Sequence, residues 1–340
     1  MRKSIKYLIL MLLVGGLIIS YFAYRVIYKP NTAQEGDKFI YIASTDSFPQ
    51  LRKQLIDSGI LQDETSFDLL AKRMKLVDKF KAGKYRIHQD MSNLSLIRMI
   101  RSGRWEKEVI KLKAEMSRDS VMTYLSTHLE ANKDQLKDAM KADWLMEEGF
   151  TEENAWCIYL PDHYHFNWAT PAEEVVKRFF NEYKKYWNRK RLGNAYDLDL
   201  SAEEACILAS IVDAEAVHIE EMPTIAGLYL NRIEKGMKLQ SDPTVLFVVG
   251  REGRHRVLYR DLEKSDPYNT YKNLGLPPGP IMLPDKRAIE AVLNPQEHNY
   301  IYMCAKEDGS YYHYFTGSYN QHLRNRAKYQ RRLNQQGTRR

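Results

Sequence analysis

The chain has 340 residues, which is enough for two or more compact domains. Its apolar content of 44% and its 23 tyrosines are typical of a folded protein and exclude an intrinsically disordered one. The net charge of +7 is matched by the cations of residues 323–340, a stretch with no acidic side chain. A basic tail, in place of a basic groove, argues against nucleic acid as a partner. The cations of this tail are Arg324, Arg326, Lys328, Arg331, Arg332, Arg339 and Arg340.

This basic C-terminal tail has two interpretations. The simpler one is the end of a helix in solvent. The alternative is contact with a negatively charged surface, either anionic lipid headgroups or an acidic wall polymer.

An uncharged run near the N-terminus, residues 7–24, is long enough to cross a bilayer and ends at Arg25. A cleaved signal peptide is the competing interpretation, but neither a small-x-small cleavage site nor a lipobox cysteine follows the run. We therefore predict that residues 1–28 form a cytoplasmic stub and one uncleaved transmembrane anchor in the inner (cytoplasmic) membrane. With one span and a large following domain, the bulk of the chain is expected on the periplasmic, extracytoplasmic side.

The segment after the anchor divides into a linker and a small lobe. Residues 29–37 are mostly polar and contain Pro and Gly, which predicts a short linker. Residues 38–105 alternate between strand and helix patterns, which predicts a compact α/β lobe. The expected elements are a strand at Lys38–Ile42, helices at 44–58 and 66–75, a strand at Lys84–Ile87 and a helix at 92–101.

A larger domain is predicted at residues 106–322, before the basic tail. Apolar residues at helical spacing alternate there with segments rich in Gly and Pro, and the fold class predicted for the chain is α+β. The expected elements are a strand at Val109–Leu112, helices near 119–129, 133–146, 172–187, 202–216, 223–235 and 287–293, and a hairpin of 300–305 with 311–315.

Glu215 lies where an apolar helical stripe should continue. The stripe contains Leu208, Ile211 and Val212, and position 215 follows them at i+3/i+4 spacing. A carboxyl group held against an apolar surface has a raised pKa, because desolvation disfavours its charged form. Such a group can act as a general acid that keeps its proton near neutral pH. The simpler interpretation of this segment alone is a glutamate at a helix end that turns toward solvent.

Asp213 is the nearest carboxylate in sequence, and it is not expected to be a catalytic partner of Glu215. Two residues correspond to about 200° around a helix, so the two side chains point in different directions. Glu220 and Glu221 fall beyond the expected helix end and are predicted to lie in solvent. The pattern therefore favours one working carboxyl over the two that ordinary glycosidases use.

Two polar segments further along the chain are candidates for holding a sugar chain near Glu215. Residues 240–244 form a compact turn, and residues 268–271 place two tyrosines around an asparagine and a threonine. Aromatic rings can contact the apolar faces of sugars, and amides can bond their hydroxyls. Each segment also has a plain structural interpretation as a loop. The predicted substrate-binding residues are Gln240, Ser241, Asp242, Tyr268, Asn269 and Thr270.

No metal and no organic cofactor is expected. His163 and His165 have the chemistry of metal ligands, but no third ligand stands out. The sequence contains no P-loop, dinucleotide fingerprint or nucleophile elbow. The three cysteines, at 157, 206 and 304, are far apart and lack zinc-binding or redox spacing.

Several motifs from Leu208 onward occur in a recognisable order. They are Leu208–Val212 with Glu215, Asn231-Arg232, Gly236–Thr244, Tyr268–Tyr271, Gly275–Ile281, Asn294-Pro295, Tyr300–Tyr302 and His313–Phe315. In this order the chain resembles the MltG (YceG-like) family of endolytic murein transglycosylases. Weaker landmarks at 80–85, 102–103 and 159–162 extend the likeness over nearly the whole chain.

The resemblance implies roles for particular residues. The family's catalytic acid is the second glutamate of an Ala-Ser-Ile-x-Glu-x-Glu pattern, which is Glu215 in this sequence. The chain departs from the pattern at Asp213, a shorter carboxylate, at Ala216, where a hydroxyl is frequent, and at residues 163–165. These departures leave the acid in place. The family's N-terminal lobe is LysM-like, which implies glycan binding by residues 38–105.

The implied reaction is non-hydrolytic cleavage of nascent peptidoglycan between N-acetylmuramic acid and N-acetylglucosamine, with 1,6-anhydro ends as products. Glu215 would act first as acid and then as base. Such an enzyme would limit strand elongation beside the inner membrane, with peptidoglycan synthases or the division machinery as further partners. Two alternatives stay open: a hydrolytic muramidase with Asp242 as its second carboxylate, and a peptidoglycan-binding scaffold without catalysis.

Overall fold

A computed structural model describes residues 2–250 and 257–335 of the chain. Residue contacts divide the chain into two compact units, which are called here the N-terminal unit and the larger unit. The N-terminal unit contains Met1–Ile110, Ser126–Asn132 and His165–Pro171, and the larger unit contains Lys111–Leu125, Lys133–Tyr164 and Ala172–Arg340. The N-terminal unit therefore includes two segments from beyond the predicted lobe at 38–105, whose limits stay a prediction.

The first helix, α1, spans Arg2–Ile27. Its portion Ser4–Ile27, 24 residues, is long and apolar enough to cross a membrane. At 1.5 Å per residue this portion is about 36 Å long, and the hydrocarbon core of a bilayer is roughly 30 Å thick. Its large apolar side chains, such as Leu12 and Leu17, are exposed. The helix is consistent with the predicted membrane anchor.

The rest of the N-terminal unit is a two-stranded sheet covered by helices. Its elements are β1 (Lys38–Ile42), α2 (Phe48–Asp57), α3 (Glu64–Arg73), β2 (Gly83–Ile87) and α4 (Asn93–Ser102). The strands are antiparallel, with Ile40 opposite Tyr85. Because side chains alternate along a strand, Ile40, Ile42 and Tyr85 share the face that is buried with Leu51 of α2 and Phe67 of α3.

Residues 29–37, predicted as a linker, are bound to the N-terminal unit. The Asn31 amide donates to Oδ1 of Asn93 at 2.7 Å, and its own oxygen accepts the backbone N–H of Asp63 at 2.7 Å. Asn93 is fully buried and donates to the carbonyl of Val26, the end of α1, at 3.0 Å. Residues 29–37 therefore pack against the rest of the N-terminal unit, because amide side chains of this segment form hydrogen bonds with buried polar groups of the unit.

The larger unit is mainly helical, with short strands. Its helices are α5 (Arg118–His128), α6 (Lys133–Ala139), α7 (Asp143–Glu147), α8 (Ala172–Tyr186), α9 (Arg189–Tyr196), α10 (Ala202–Glu215), α11 (Met222–Glu234), α12 (Asp242–Val249), α13 (Tyr259–Leu262), α14 (Lys286–Leu293) and α15 (Tyr319–Gln335). Its strands are β5 (Tyr302–Ala305) and β6 (His313–Thr316), whereas β3 (Lys107–Leu112), β4 (Asp162–Asn167) and α5 each have residues in both units. Strand β3 pairs with β4, and β5 pairs with β6 in the predicted hairpin.

The single helix predicted at 133–146 is two helices, α6 and α7. Leu136, Met140 and Leu145 are all buried. In one continuous helix Leu145 would lie about 140° from Met140, on a different face. A break at Ala142, whose backbone is extended, brings all three side chains into the core.

The predicted basic tail belongs largely to a helix that packs on the hairpin. Helix α15 reaches Gln335, and residues 336–340 lie outside the described residues. The ring of His322 stacks on Tyr302 of β5 at 5.1 Å, and the Arg332 guanidinium donates to the carbonyl of Glu307. The first part of the tail is thus tied to the hairpin by a basic side chain.

Asn93→Ala should destabilise the N-terminal unit by roughly 1–3 kcal/mol, because it leaves buried partners without hydrogen bonds. Hydrogen exchange of the β1 and β2 amides in the full chain measures this loss. The same substitution at the exposed Asn299 is the control and should change little. Equal, small effects of both variants would contradict the structural role of the Asn93 network.

Candidate active site

Helix α10 is a buried helix that places Glu215 at its C-terminal end. It starts with a capping box, in which Ser201 Oγ accepts the N–H of Glu204 at 3.1 Å and Glu204 Oε2 accepts the N–H of Ser201 at 2.8 Å. The following residues from Ala205 to Val212 are buried without exception. Because a buried helix has little freedom to move, the position of Glu215 is set by the core of the larger unit.

The Glu215 carboxyl accepts two hydrogen bonds on the same oxygen. Ser241 Oγ donates to Oε1 at 2.6 Å, and Tyr229 Oη donates to Oε1 at 3.0 Å. Burial raises the pKa of Glu215, and the nearby charge of Asp242 raises it further. The two hydrogen bonds and the charge of His313 act in the opposite direction, and the pKa remains above its ordinary value. The surroundings of Glu215 therefore shift its pKa upward, the direction that the apolar stripe predicts.

Tyr229 is a site residue that the sequence analysis did not find. It lies on α11 and is 1% exposed. Burial, followed by the neighbouring Glu215, raises its pKa well above the ordinary value, so the hydroxyl keeps its proton and can donate. A signal for it exists in the sequence, because Tyr229 lies midway between Ile225 and Ile233 at i±4 spacing, on the face that packs inward.

Ser241 is oriented by a cluster of buried hydroxyl groups. It is the residue before α12, and its N–H donates to Thr270 Oγ1 at 3.0 Å. Thr244 Oγ1 lies 2.8 Å from Thr270 Oγ1 and donates to the carbonyl of Ser241 at 2.7 Å. Gln240 precedes the cluster in a left-handed conformation, with φ of 51°. Of the predicted sugar-binding residues, Ser241 and Thr270 thus bind each other, and Ser241 binds Glu215.

The other predicted substrate-binding residues have different surroundings. Asp242 is half-buried and accepts from Tyr271 Oη at 2.6 Å. Asn269 is fully buried, and its amide donates to two carbonyls within the same loop. Tyr268 is buried against Phe247, with ring centroids 4.6 Å apart. Gln240 and Asp242 are therefore the predicted residues that keep side-chain surface accessible to a ligand.

Arg118, on α5, connects two loops by hydrogen bonds. One loop contains Tyr268, and the other is residues 274–281, called here the Pro-rich segment. The Arg118 guanidinium donates to Tyr268 Oη, to the carbonyl of Pro280 at 3.1 Å and to that of Glu153 at 3.2 Å. Gly279 permits this approach, because a Cβ there would lie 2.1 Å from the Glu153 carbonyl oxygen. The sequence analysis did not single out Arg118, whose partners are distant in sequence.

The Pro-rich segment also forms one wall of a cleft of about 760 Å³ in the larger unit. The first half of α10 also lines this cleft. The lining residues include Leu274, Leu276, Pro277, Pro278, Glu203 and Ile207.

The hydrogen-bond partner of the Asp213 carboxylate differs from the partners of Glu215. Its Oδ2 accepts the backbone N–H of Asp285, the residue before α14, at 2.8 Å. Burial is the main reason that its pKa is raised. Asp213 therefore anchors the start of α14 and shares no hydrogen-bond partner with Glu215 among the bonds of the described chain.

Glu221 is buried, and the prediction that it lies in solvent is wrong. Its Oε1 accepts the backbone N–H of His313 at 2.9 Å, and its Oε2 lies 2.9 Å from His313 Nδ1. The two side chains are 9% and 12% exposed. The β5–β6 hairpin covers Glu221, a long-range contact without a local sequence signal. Glu220, in contrast, is exposed.

His163 and His165 lie on β4 with exposed side chains, while Tyr164 and Phe166 between and after them are buried. The alternation explains the pattern as that of a strand. Within residues 2–250 and 257–335, no group of three or more His, Cys, Asp or Glu side chains is placed to hold a metal ion.

Comparison with known proteins places the chain in a family. The profile of the YceG-like family matches residues 40–328, so the chain belongs to this family and the resemblance noted from the motifs is confirmed. A YceG-like protein from Listeria monocytogenes, with a crystal structure at 2.6 Å, covers 86% of this chain with a TM-score of 0.55. At 24% identity over 99% of that chain, the match shows that the mixed α and β fold is shared.

Two relatives have names that describe an activity. The endolytic murein transglycosylase of Bacillus subtilis is 36% identical over 173 residues, which are 50% of this chain and 46% of the relative. The endolytic murein transglycosylase of Streptococcus pneumoniae is 33% identical over 136 residues, which are 38% of this chain and 24% of the relative. The matched region thus spans less than half the length of either relative.

Tyr229→Phe should raise the pKa of Glu215 further, because the hydrogen bond that it removes lowers that pKa. An infrared titration of the carboxyl C=O band that is missing in Glu215→Gln measures the effect. Tyr183→Phe is a matched control, since Tyr183 is also buried and donates to a glutamate of α10, Glu203, at 2.8 Å. A shift of the same size in both variants would contradict a direct effect of the Tyr229 hydroxyl.

Glu215→Gln should stabilise the larger unit more at about pH 8 than at about pH 5. A carboxyl with a raised folded pKa stabilises the fold below its unfolded pKa, near 4.5, and this contribution is lost as pH rises through the folded value. Glutamine has no such dependence. Melting temperatures of wild type, Glu215→Gln and the exposed control Glu147→Gln test this. If the difference in melting temperature between Glu215→Gln and wild type does not grow with pH, the raised pKa is contradicted.

Proposed function

We propose that the protein is a membrane-anchored endolytic peptidoglycan lytic transglycosylase that cleaves the bond between N-acetylmuramic acid and N-acetylglucosamine without water. The observation that carries the proposal is the half-buried Glu215 carboxyl with both of its hydrogen bonds on Oε1. The names of the relatives from Bacillus subtilis and Streptococcus pneumoniae agree with this chemistry. Gln240 and Asp242 are the proposed contacts to the glycan, and Ser241, Tyr268, Asn269 and Thr270 shape the loops that present them.

The proposed reaction uses Glu215 twice. Because Oε1 is occupied by two donors, Oε2 carries the acidic proton. This proton is transferred to the glycosidic oxygen as the bond from that oxygen to C1 of muramic acid breaks. The 6-hydroxyl of the same muramic acid then attacks C1, and its proton passes to the Glu215 carboxylate. The acid is thereby restored, the 1,6-anhydro ring closes, and water is neither consumed nor released.

The raised pKa of Glu215 suits the first step, and its hydrogen bonds suit the second. Desolvation raises the pKa of the Glu215 carboxyl, so the acid form persists to higher pH than in an exposed glutamate. After transfer, the Ser241 and Tyr229 hydroxyls stabilise the carboxylate until it takes the second proton. One carboxyl is sufficient because no water has to be activated, in contrast to the pairs of ordinary glycosidases.

The N-terminal unit is proposed to place this chemistry beside newly made glycan. Helix α1 would be the anchor in the inner membrane, with the rest of the chain on the extracytoplasmic side. The order β1-α2-α3-β2 with antiparallel strands supports a LysM-like, glycan-binding lobe. An enzyme held there would cut nascent strands and limit their elongation, near synthases or division proteins that extend the same strands.

Purified full-length protein in detergent should convert isolated glycan strands into fragments that end in 1,6-anhydro-N-acetylmuramic acid, detected by mass spectrometry. Glu215→Gln should lower the rate by roughly 10²–10⁴-fold, because the amide cannot donate or take up the proton. Asp213→Asn is the control and should retain most activity, since an asparagine oxygen can still accept the Asp285 N–H.

The products also separate the alternatives. Reducing ends formed with uptake of water would identify a muramidase, in which Asp242, the carboxylate that acts on the pKa of Glu215, would be the base. Full complementation of a deletion strain by Glu215→Gln would favour a binding scaffold. Either result would overturn the transglycosylase proposal.

A further inference from the structure

The hairpin of β5 and β6 is fixed to the segment that follows Glu215. His218 Nε2 lies 2.7 Å from the carbonyl oxygen of Ser310, and the rings of His218 and Tyr312 stack with their centroids 3.8 Å apart. The Tyr312 hydroxyl donates to Glu220 in the same segment. Because His218 is three residues from Glu215, their Cα atoms are at most about 11 Å apart. The turn end of the hairpin is therefore close to the proposed catalytic acid.

Two lysines flank the tyrosines of this hairpin. Lys306 Nζ lies 5.5 Å from the centroid of the Tyr312 ring and 5.6 Å from that of the Tyr314 ring. Lys328 Nζ, on α15, lies 5.5 Å from the centroid of the Tyr314 ring. These four residues are called here the lysine–tyrosine strip. The strip begins at Tyr312, next to the segment that follows Glu215, and continues to α15.

The lysine–tyrosine strip lies in a strongly basic part of the chain. Residues 302–335 contain six cations but only two carboxylates, Glu307 and Asp308. In the part of the chain that the structure describes, residues 2–250 and 257–335, no ion pair involves Lys306 or Lys328. An aromatic ring attracts an ammonium group without neutralising it, so both lysines keep a full charge for an anionic ligand. The six cations are Lys306, Arg324, Arg326, Lys328, Arg331 and Arg332.

Other lysines of the larger unit that lie over aromatic rings have carboxylate partners. Lys177, over a tryptophan ring, lies 2.7 Å from Oε1 of Glu173. Lys184, over a phenylalanine ring, lies 3.8 Å from Oε1 of Glu148. The charge of these two lysines is compensated within the protein, whereas the charge of the two lysines in the strip is not.

The position of the strip favours the substrate strand as its ligand. The peptide-bearing glycan proposed as the substrate carries carboxylates on its peptides, and a long strand bound at Glu215 continues past the acid. The strip presents ammonium groups to a strand that continues toward the hairpin. The basic strip and the acidic strand are then complementary in charge.

We propose that the lysine–tyrosine strip is a second binding surface for the substrate strand, in which Lys306 and Lys328 bind peptide carboxylates and the two tyrosine rings hold the ammonium groups in place. This assignment rests on the proposed transglycosylase function. A strand bound at Glu215 and at the strip dissociates less readily, because after the first contact the second one forms within the same complex.

The test measures binding to insoluble peptidoglycan by sedimentation, with full-length protein in neutral detergent. All proteins carry Glu215→Gln, so that the strands stay uncut. Lys306→Gln combined with Lys328→Gln removes both charges of the strip and keeps polar side chains. Lys177→Gln combined with Lys184→Gln is the matched control, because it removes two lysines that also lie over rings but are paired with carboxylates.

The change at Lys306 and Lys328 should weaken binding by roughly 2- to 30-fold at low salt, the effect of losing two exposed ion pairs. The difference should shrink at about 0.5 M NaCl, because salt screens exposed charges. It should also disappear on peptidoglycan whose carboxylates have been converted to amides. Equal loss in the control pair, or a loss that persists on amidated peptidoglycan, overturns the proposal.

A second arm separates peptide carboxylates from lipid phosphates. Phosphatidylglycerol is added to the micelles, and the melting temperature reports whether the lipid binds. If this lipid stabilises the parent but not the Lys306 and Lys328 variant, and both bind peptidoglycan equally, the strip binds lipid and the proposal is overturned. Sedimentation does not require catalysis, so a wild type that binds strands but makes no anhydro ends would refute the proposed function alone.

Discussion

The hydrogen bond from Ser241 to Glu215 Oε1, at 2.6 Å, is the contact on which the site depends. Glu215 ends a buried helix, where an isolated carboxylate would be strongly disfavoured. Two hydroxyl groups donate to one oxygen of Glu215 and so stabilise the carboxyl in this position. The pKa of Glu215 nevertheless remains above its ordinary value. The cluster of buried hydroxyl groups that includes Thr270 fixes the direction of the Ser241 donor, and burial fixes the direction of the Tyr229 donor.

Much of the fold follows from local patterns. The apolar stripe of α10 and its capping box lead to Glu215, and period-two alternation predicts β1, β2 and the C-terminal hairpin. Helix α12 is not among the predicted elements, although Ser241-Asp242-Pro243 has the cap residue and early proline that begin many helices. The polar character of these residues predicts a turn that binds sugar, and in the structure the Ser241 hydroxyl donates to the Glu215 carboxyl.

The features that sequence reasoning could not supply depend on partners far along the chain. Asn31 meets Asn93 across 62 positions, and Glu221 meets His313 across 92. A polar residue at the end of an element is predicted in solvent by default, because nothing local reveals which strand or helix will cover it. Tyr229 is a related case: its spacing predicts burial, but the direction of its hydroxyl is decided by tertiary packing.

The junction between α1 and the rest of the N-terminal unit limits where that unit can act. The amide of the buried Asn93 donates to the carbonyl of Val26, and residues 31–34 pack in the same unit. The segment that follows α1 is therefore not a flexible linker. If α1 is embedded in a bilayer, the rest of the N-terminal unit lies directly on the membrane surface, because no flexible linker separates it from the helix. A unit of about 100 residues has a radius of gyration near 13 Å, so the polymer that it can touch is confined to a thin layer next to the lipid. Polymer that lies farther from the lipid than this layer would be beyond the reach of the N-terminal unit.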